Sequence, residues 1–135
     1  MTVKDIMGRR VKAPKISAKG REVALKLLSD DYSSLPVVDD GGKVVGIISE
    51  FDLLKAVRAG KGLDDVTAGE AMTKDPLCVE ENLPVEKLID LMTEKHLLRV
   101  PVVRDGKLVG SVSRRHILDS LTSVEFKESF FVLRD

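Results

Sequence analysis

The chain has 135 residues, of which 22 are basic and 22 acidic, and its hydrophobic content of 43% is typical of a globular rather than a disordered protein. It contains no apolar run of about 18 residues and no signal-peptide core at its start, so we expect a cytoplasmic protein without a membrane-spanning helix. Its single cysteine, Cys78, cannot form an internal disulfide, and one cysteine with two histidines is a poor set of zinc ligands. These counts argue against a disulfide-bonded secreted scaffold and against a metalloenzyme.

Positive charge is concentrated near the N-terminus, although the formal net charge of the whole chain is zero. Residues 1–21 carry a net charge of +6, which leaves −6 on the remaining 114 residues. The basic side chains of this segment are those of Lys4, Arg9, Arg10, Lys12, Lys15, Lys19 and Arg21. Such a segment can bind nucleic acid or a phosphorylated ligand, or it can be a solvated edge of the protein. Both interpretations stay open.

The first half of the chain predicts a short strand, a helix, two strands and a second helix, in that order. An extended piece near Ile16 precedes an amphipathic helix with apolar side chains at helical spacing: Val23, Ala24, Leu27 and Leu28. Two apolar runs of strand length follow at residues 35–38 and 44–48, joined by an Asp-Asp-Gly-Gly turn. In the second helix we expect three apolar side chains to point inward: Leu53, Leu54 and Val57.

The second half of the chain predicts the same series of elements. An extended piece at residues 77–79 precedes a helix with an apolar stripe formed by Val85, Leu88, Ile89 and Met92. The next two strands are joined by Asp105-Gly106, a dipeptide that supplies the positive φ angles of a tight hairpin turn. In the last helix we expect the inward-pointing side chains to be Ile117, Leu118 and Leu121.

The two halves are duplicates of each other. Residues 35–49 reappear as residues 100–113, with Pro36 and Pro101 65 positions apart and Gly46 and Gly110 64 positions apart. A half of about 60 residues buries too little surface to be stable alone, so the two halves should pack together. We therefore predict an α/β (α+β) fold of two β-α-β-β-α repeats, related by a pseudo-two-fold axis, with the sheets packed face to face and clefts between them.

We divide the chain into three parts. The first repeat, with the basic N-terminal segment, spans residues 1–65, and the second repeat spans residues 66–122. Residues 123–135 form a C-terminal extension.

Residues 3–121 resemble a tandem pair of cystathionine-β-synthase (CBS) domains, often called a Bateman module. The resemblance rests on the Leu-Pro-Val-Val-Asp and Val-Pro-Val-Val runs, the Val-Val-Gly-Ile-Ile-Ser run, and Asp52 three residues after Ser49. It implies a protein that is not an enzyme and binds an adenosine-containing ligand in the cleft between the repeats. We accordingly expect no catalytic residue, no metal and no catalytic cofactor.

The ligand signature of that family is Gly-hydrophobic-x-Ser/Thr-x-x-Asp. Residues 46–52 match it, so the resemblance implies the nucleotide-binding residues Gly46, Ile47, Ile48, Ser49 and Asp52. The residue chemistry agrees: Gly46 has no Cβ where a ligand approaches, Ser49 at a helix start suits a phosphate, and the Asp52 carboxylate can accept from two ribose hydroxyls. Ser49 and Asp52 also fit a capping box, and both roles can hold together.

The second half departs from this signature, because His116 stands where the family has aspartate. A neutral imidazole has one donor and one acceptor and cannot hold two hydroxyls as a carboxylate does. We therefore expect one competent site, built on Asp52, and a second, degraded or altered site formed by His116, Ser113, Ser33 and Ala13. Arg114 and Arg115 could favour a polyphosphate there or be solvated helix-end charges.

In the family, each site takes its other wall from the partner repeat. For the Asp52 site the resemblance implies that Leu77 and Leu98 sandwich the purine and that Arg99 faces a phosphate. Plain core packing is the alternative for the two leucines. Phe51 stands where several relatives have a second hydroxyl. The lack of this hydroxyl argues against tight binding of a phosphate, so a ligand without phosphates, such as an S-adenosyl compound, stays among the candidates.

The leading functional hypothesis is a regulatory module that binds AMP, ADP, ATP or an S-adenosyl compound and signals to a separate, unidentified protein. The resemblance also implies a homodimer formed through the second helix of each half. The C-terminal extension can add to that contact, dock elsewhere or pack on its own module through Phe126, Phe130, Phe131, Val132 and Leu133. One alternative is a nucleic-acid-associated protein that uses the basic N-terminal segment, and another is a structural dimer with a vestigial nucleotide site. No membrane partner is expected.

Overall fold

The computed structural model of the protein describes residues 1–30 and 32–122, and the strands of this part of the chain form two three-stranded sheets. In chain order the elements are α1 (Val3–Ile6), α2 (Gly20–Asp30), β1 (Ser34–Val38), β2 (Val44–Ser49), α3 (Glu50–Arg58), α4 (Ala68–Ala71), β3 (Thr73–Lys74), β4 (Val79–Glu80), α5 (Val85–Lys95), β5 (Arg99–Arg104), β6 (Lys107–Ser113) and α6 (Arg114–Thr122). None of the helices in these ranges is long and apolar enough to cross a membrane. The C-terminal extension and its apolar side chains lie outside the described residues.

Each sheet is built on an antiparallel hairpin, β1–β2 in one and β5–β6 in the other. The register slips at residues 37–38 of the first hairpin and at the corresponding residues 102–103 of the second. Asp105 and Gly106 have positive φ angles of 52° and 81°, so the tight turn predicted between β5 and β6 is confirmed. The duplication is therefore visible in the irregularities of the backbone as well as in the sequence.

Each repeat has its own hydrophobic core, on the helix-covered side of its sheet. The first core includes Val23, Leu27, Leu35, Val37, Ile48 and Leu53. The second core includes Leu88, Met92, Val100, Val102, Val112 and Ile117. The tips of the hairpins bond to each other, because the Val44 N–H donates to the Gly106 carbonyl at 3.1 Å and the Leu108 N–H donates to the Gly42 carbonyl at 3.0 Å. These reciprocal bonds relate the repeats by an approximate two-fold axis, and the predicted fold is confirmed.

The chain exchanges short segments between the two repeats. Val3 and Met7, in and just after α1, belong to the core of the second repeat, and Gly8 exchanges two backbone hydrogen bonds of 2.9 Å with β6. In turn, Ala68 in α4 belongs to the core of the first repeat, and β3 pairs with β2. The packing therefore crosses the predicted boundary after residue 65, and the division into domains stays a prediction.

The outer faces of α3 and α6 are apolar and exposed. Leu53 is 6% exposed, whereas Leu54 is 61% and Val57 49% exposed; in α6, Ile117 is 7% and Leu118 60% exposed. The prediction that all the apolar residues of these two helices point inward is therefore wrong for the outer ones. Successive residues of a helix are about 100° apart, so the sheet that covers one leucine cannot cover the next.

Candidate functional site

Asp52 lies in the first turn of α3 and forms a capping box with Ser49. Its Oδ2 accepts from the Ser49 backbone N–H at 2.8 Å and from the Ser49 hydroxyl at 3.1 Å, while the Asp52 N–H donates to Ser49 Oγ at 3.2 Å. Its Oδ1 accepts one bond, from the Thr73 hydroxyl at 3.4 Å. The capping-box interpretation is therefore confirmed. A carboxylate offers about four acceptor positions, so the predicted ribose contact is compatible with the cap.

Two other residues of the signature are packed against the chain itself. A Cβ on Gly46 would lie 2.9 Å from the Thr73 carbonyl oxygen and against the Met72 side chain, so this glycine makes room for the segment that carries β3. The group that lies against Gly46 on this side is thus part of the protein itself, and contact of Gly46 with a ligand stays a prediction. The Ile48 side chain is fully buried in the first core, so only the backbone of Ile48 could contact a ligand. Ile47 faces a cavity instead.

That cavity, which we call the central cleft, lies between the two hairpins and has a volume of about 220 Å³. It brings together three of the predicted site residues, namely Ile47, Leu77 and Arg99. Its other walls include Pro36 and Pro101, the prolines that mark the repeat. Leu98 lines a neighbouring cavity of about 450 Å³, so the sandwich of a purine between two leucines stays a prediction.

The guanidinium of Arg99 is held by two residues that sequence analysis missed. Its Nη1 donates to Ser111 Oγ at 3.1 Å, and its central carbon lies 4.6 Å from the centre of the Tyr32 ring. Ser111 is only 6% exposed. Ser111 stands where the first repeat has Ile47 of the ligand signature, whereas Tyr32 lies outside the signature. Only the packing of one repeat on the other brings Tyr32 to β5. Sequence analysis also missed Thr73. This residue directly follows Met72, which corresponds to Met7 at the 65-residue spacing of the repeat, so the spacing could have pointed to it.

His116 caps α6 at the position equivalent to that of the acid in α3. The Ser113 N–H donates to His116 Nδ1 at 3.0 Å, and the His116 N–H donates to Ser113 Oγ at 3.3 Å. Burial lowers the pKa of His116, and the positive charge of Arg99 lowers it further against the opposing effect of Asp119. The neutral ring carries its proton on Nε2, which would lie 3.3 Å from a Cβ on Gly8. His116 therefore has no free acceptor for a pair of hydroxyls.

Three of the four residues predicted for the second site, all but Ala13, line two adjoining cavities, which we call the basic cleft. The cavity of about 450 Å³ includes Ser33 and Ser113, and a cavity of about 660 Å³ includes Ser113 and His116. Both cavities are also lined by Arg99 and Arg115. Ala13 is half-buried and precedes Pro14, whose carbonyl accepts a backbone bond from β1.

The seven basic side chains of the N-terminal segment are all exposed to solvent. Its ion pairs include Lys15 with Asp40 at 3.7 Å and Arg21 with Asp64 at 2.8 Å. These exposed pairs contribute little to stability, and they neutralise only part of the segment. Nucleic-acid binding by this segment stays a prediction.

The part of the chain that the structure describes contains no evident activated nucleophile and no evident metal site. Cys78 is half-buried, and its pKa is raised by burial and by the charge of Glu80, so the thiol is held in its less reactive form. Within residues 1–30 and 32–122, no group of three or more histidine, cysteine and acidic side chains is arranged to hold a metal ion.

Comparison with known proteins identifies the repeat. A family model described as the CBS domain matches residues 3–59 and again residues 68–123. The uncharacterized protein MK0525 of Methanopyrus kandleri is 37% identical over 99 residues, which are 72% of this chain and 50% of that protein. The chain thus spans half the length of this relative.

Solved structures of CBS-domain pairs have the same fold. CBSX2, a protein from Arabidopsis thaliana whose structure was determined in complex with AMP, is 30% identical with a TM-score of 0.78, covering 91% of this chain and 97% of that one. The CBS pair of protein MJ0100, in complex with 5′-methylthioadenosine and S-adenosyl-L-methionine, is 29% identical with a TM-score of 0.74. That alignment covers 93% of this chain and 98% of the MJ0100 chain.

Proposed function

Because this chain belongs to the CBS-domain family and carries two copies of the domain, we propose that it is a regulatory module that binds an adenosine-containing ligand between the repeats and signals to a separate protein. The ligand is AMP, ADP, ATP or an S-adenosyl compound. The AMP complex of CBSX2 and the S-adenosyl-L-methionine complex of MJ0100 support this ligand class. The proposal rests above all on the Asp52 carboxylate. Its Oδ1 can still accept hydrogen bonds, and it lies just after β2, the strand that contributes Ile47 to the central cleft.

The ribose contact depends on how the two oxygens of Asp52 are used. Oδ2 accepts two short bonds from Ser49, whereas Oδ1 accepts only the 3.4 Å bond from the exposed hydroxyl of Thr73. A bond of that length is weak, so a ribose hydroxyl can replace it at little loss. Two vicinal hydroxyls can then donate to the carboxylate while the cap on α3 stays intact.

The central cleft suits the base of the ligand. Its walls are mainly apolar and include Pro36 and Ile47 of the first hairpin, Pro101 of the second hairpin, and Leu77. Small-molecule sites are typically apolar clefts with a few polar groups that fix orientation. Leu77 is 40% exposed in the free protein, and a purine stacked on it would remove this apolar surface from water.

We also propose that the protein is a homodimer whose interface is formed by the outer helix faces. Apolar grooves of about 400 and 410 Å³ run along the α2–α3 and α5–α6 helix pairs. The exposed side chains along these grooves are Leu28, Phe51, Leu54, Val57, Leu118 and Leu121. Monomeric proteins rarely expose apolar surface of this extent without a partner, and a second copy would cover both grooves at once.

The proposed ligand class is tested by thermal unfolding in the presence of a small panel: AMP, ATP, S-adenosylmethionine, GMP and 2′,3′-dideoxyadenosine monophosphate. At a hundredfold excess over Kd a ligand stabilises the folded state by about 2.7 kcal/mol. We expect stabilisation by at least one ribose-containing adenosine compound and none by GMP or the dideoxy analogue. Equal stabilisation by AMP and its dideoxy analogue would contradict the role of Asp52. The absence of any shift with every adenosine compound would contradict the function itself.

A further inference from the structure

The outer faces of the two helix pairs differ in polarity, although the repeats are duplicates. We call the outer face of α2 and α3 the first face and that of α5 and α6 the second face; each holds one of the apolar grooves described above. Buried residues fix the correspondence between the two faces. Val23 and Leu88, 65 positions apart, are both fully buried, and Leu53 and Ile117, 64 positions apart, are 6% and 7% exposed. Every outward position of the first face therefore has an identified counterpart in the second.

The first face is the more apolar of the two. Leu28 and Phe51, at 75% and 74% exposure, are the most exposed large apolar side chains of the part of the chain that the structure describes. Leu54 has an apolar counterpart in Leu118, and the two are 61% and 60% exposed. Three other exposed apolar residues of the first face have polar or charged counterparts: Leu25 corresponds to Asp90, Leu28 to Thr93 and Phe51 to Arg115. A molecule that covers both faces therefore has to match one apolar and one mixed surface.

Two copies related by a two-fold axis can bring these faces together in two ways. In a parallel dimer each repeat faces the same repeat of the other copy, whereas in an antiparallel dimer each first face lies on a second face. The antiparallel arrangement would place Leu28 and Phe51 against the surface that carries Arg115, so that a guanidinium loses water beside apolar side chains. Glu50 lines the first groove and can pair with an arginine, but an ion pair at an exposed rim contributes little.

The parallel arrangement matches each face with a surface of its own kind. Leu28 and Phe51 would be removed from water against equivalent side chains, and this apolar burial is a larger contribution than one ion pair at the rim. A standard interface buries about 800 Å² per partner. A fully buried aromatic side chain accounts for about 150–250 Å². The first face, with Phe51 and four exposed aliphatic side chains, therefore supplies a large part of the area that a stable dimer needs.

The charges of the second face suit it to contact with its own copy. Arg115 and Asp119 are exposed on α6 and Asp90 is exposed on α5, so this face carries both signs. In an interface with two-fold symmetry every contact occurs twice, so cations of each copy can pair with acids of the other. Such pairs fix register and orientation more than they add affinity.

We propose that the homodimer of the proposed function, on which this inference rests, is parallel, with first face on first face and second face on second face. The apolar first faces supply most of the affinity, and the second faces pair opposite charges. Phe51 directly precedes Asp52 in the first turn of α3, so the Asp52 sites of the two copies lie beside the same contact between first faces. In an antiparallel dimer the two sites would lie in opposite halves of the interface.

The test is charge complementation between full-length variants, measured by sedimentation velocity with one chain of each mixture labelled. Leu54→Glu and Leu54→Lys each place a charge opposite the same charge of the other copy, so we expect each to raise the dimer Kd at least about tenfold. A mixture of these two variants should form mixed dimers with a Kd at least about tenfold lower than that of either alone, because glutamate then meets lysine. The matched control is a mixture of Leu54→Glu and Leu118→Lys, which should not be rescued, since positions 54 and 118 lie in different halves of a parallel interface. Both positions are exposed to nearly the same extent, and circular dichroism checks that each variant keeps its fold.

Failure of the orientation and failure of the proposed function give different results. Rescue of Leu54→Glu by Leu118→Lys that is as strong as rescue by Leu54→Lys would overturn the parallel arrangement. A dimeric wild type that neither Leu54 variant weakens, or whose variants are rescued in neither mixture, would overturn it as well, because position 54 would then not face its own copy. A wild type that sediments as a monomer would refute the homodimer itself. The ligand class is tested separately by the adenosine panel, so a negative result there leaves the dimer and its orientation standing.

Discussion

Replacing Asp52 by alanine is expected to reduce both stability and ligand binding, because one carboxylate serves the start of α3 and the ribose. In the free protein the substitution removes the 2.8 Å bond from the Ser49 N–H, the 3.1 Å bond from its hydroxyl and the 3.4 Å bond from Thr73. Loss of a capping side chain typically costs about 1 kcal/mol. The Ser49 hydroxyl still accepts from the N–H of residue 52, and water reaches this half-buried position, so we expect a cost of at most that size. For a chain of this size, a loss of 1 kcal/mol lowers the melting temperature by about 3–5 °C.

The assay is thermal unfolding of the wild type and the variant, followed by circular dichroism, with and without saturating AMP. The chain offers a matched control in α4, where Thr67 and Glu70 form a capping box with nearly the same distances. The Thr67 N–H donates to Glu70 Oε1 at 2.9 Å, and the Glu70 N–H donates to Thr67 Oγ1 at 3.2 Å. Glu70→Ala should therefore lower stability by a similar amount and keep the AMP-induced shift, whereas Asp52→Ala should lose that shift.

Two results would refute this reasoning at different steps. A variant Asp52→Ala that melts with the wild type in the absence of ligand would show that the capping bonds contribute nothing to stability. A variant that is destabilised but is still shifted by AMP as strongly as Glu70→Ala would show that Asp52 is a cap only. In that case the ribose is held elsewhere.

Three further predictions concern the packing at Gly46, the ion pair of Glu81 and Arg104, and the helix faces. Gly46→Ala should lower the free energy of unfolding in urea by about 1–3 kcal/mol, because its Cβ would lie 2.9 Å from the backbone of β3. In the control Gly41→Ala the nearest neighbour of the Cβ is 3.5 Å away, so the loss should be under about 0.5 kcal/mol. Equal losses in the two variants would contradict the packing described at Gly46. The hydrogen-bonded Arg104 guanidinium lowers the pKa of the buried Glu81, so this pair stabilises the fold above the usual value of 4.5 and loses its effect as pH falls through the lowered pKa. The urea midpoint of the wild type should therefore fall more steeply below pH 4.5 than that of Glu81→Gln, and parallel profiles would argue against it. Leu54→Glu should convert the proposed homodimer to a monomer in sedimentation velocity, and an unchanged sedimentation coefficient for a dimeric wild type would place the interface elsewhere.

Local sequence rules predicted the features that depend on neighbouring residues. The Asp105-Gly106 turn has the positive φ angles expected of that dipeptide, because backbone sterics at a turn are decided within a few residues. The capping box of Ser49 and Asp52 is local for the same reason, since its partners are three residues apart. The duplication was visible in the sequence as a fixed spacing, and it predicted that both halves have the same fold.

The sequence predicted less well which side chains face each candidate site. The signature placed Gly46 and Ile48 at the ligand, whereas the structure packs Gly46 under the incoming β3 segment and buries the Ile48 side chain. The apolar spacing of α3 predicted Leu54 to be inside, whereas it lies on the outer face. A hydrophobic residue at helical spacing is equally suited to the core of its own repeat and to contact with another molecule, so the pattern alone cannot distinguish them.

The amino-acid sequence alone determined that two similar units are present, where their turns and helix starts fall, and that the second unit has histidine and arginines where the first has acids. Only the tertiary structure decided that the N-terminal segment packs on the second repeat, because that choice depends on which exposed sheet edge the segment reaches. It also decided that the Arg99 guanidinium is held by Ser111 and Tyr32. A long side chain has many rotamers, and the one it adopts is selected by surfaces that are distant in the sequence and meet only when the repeats have packed together.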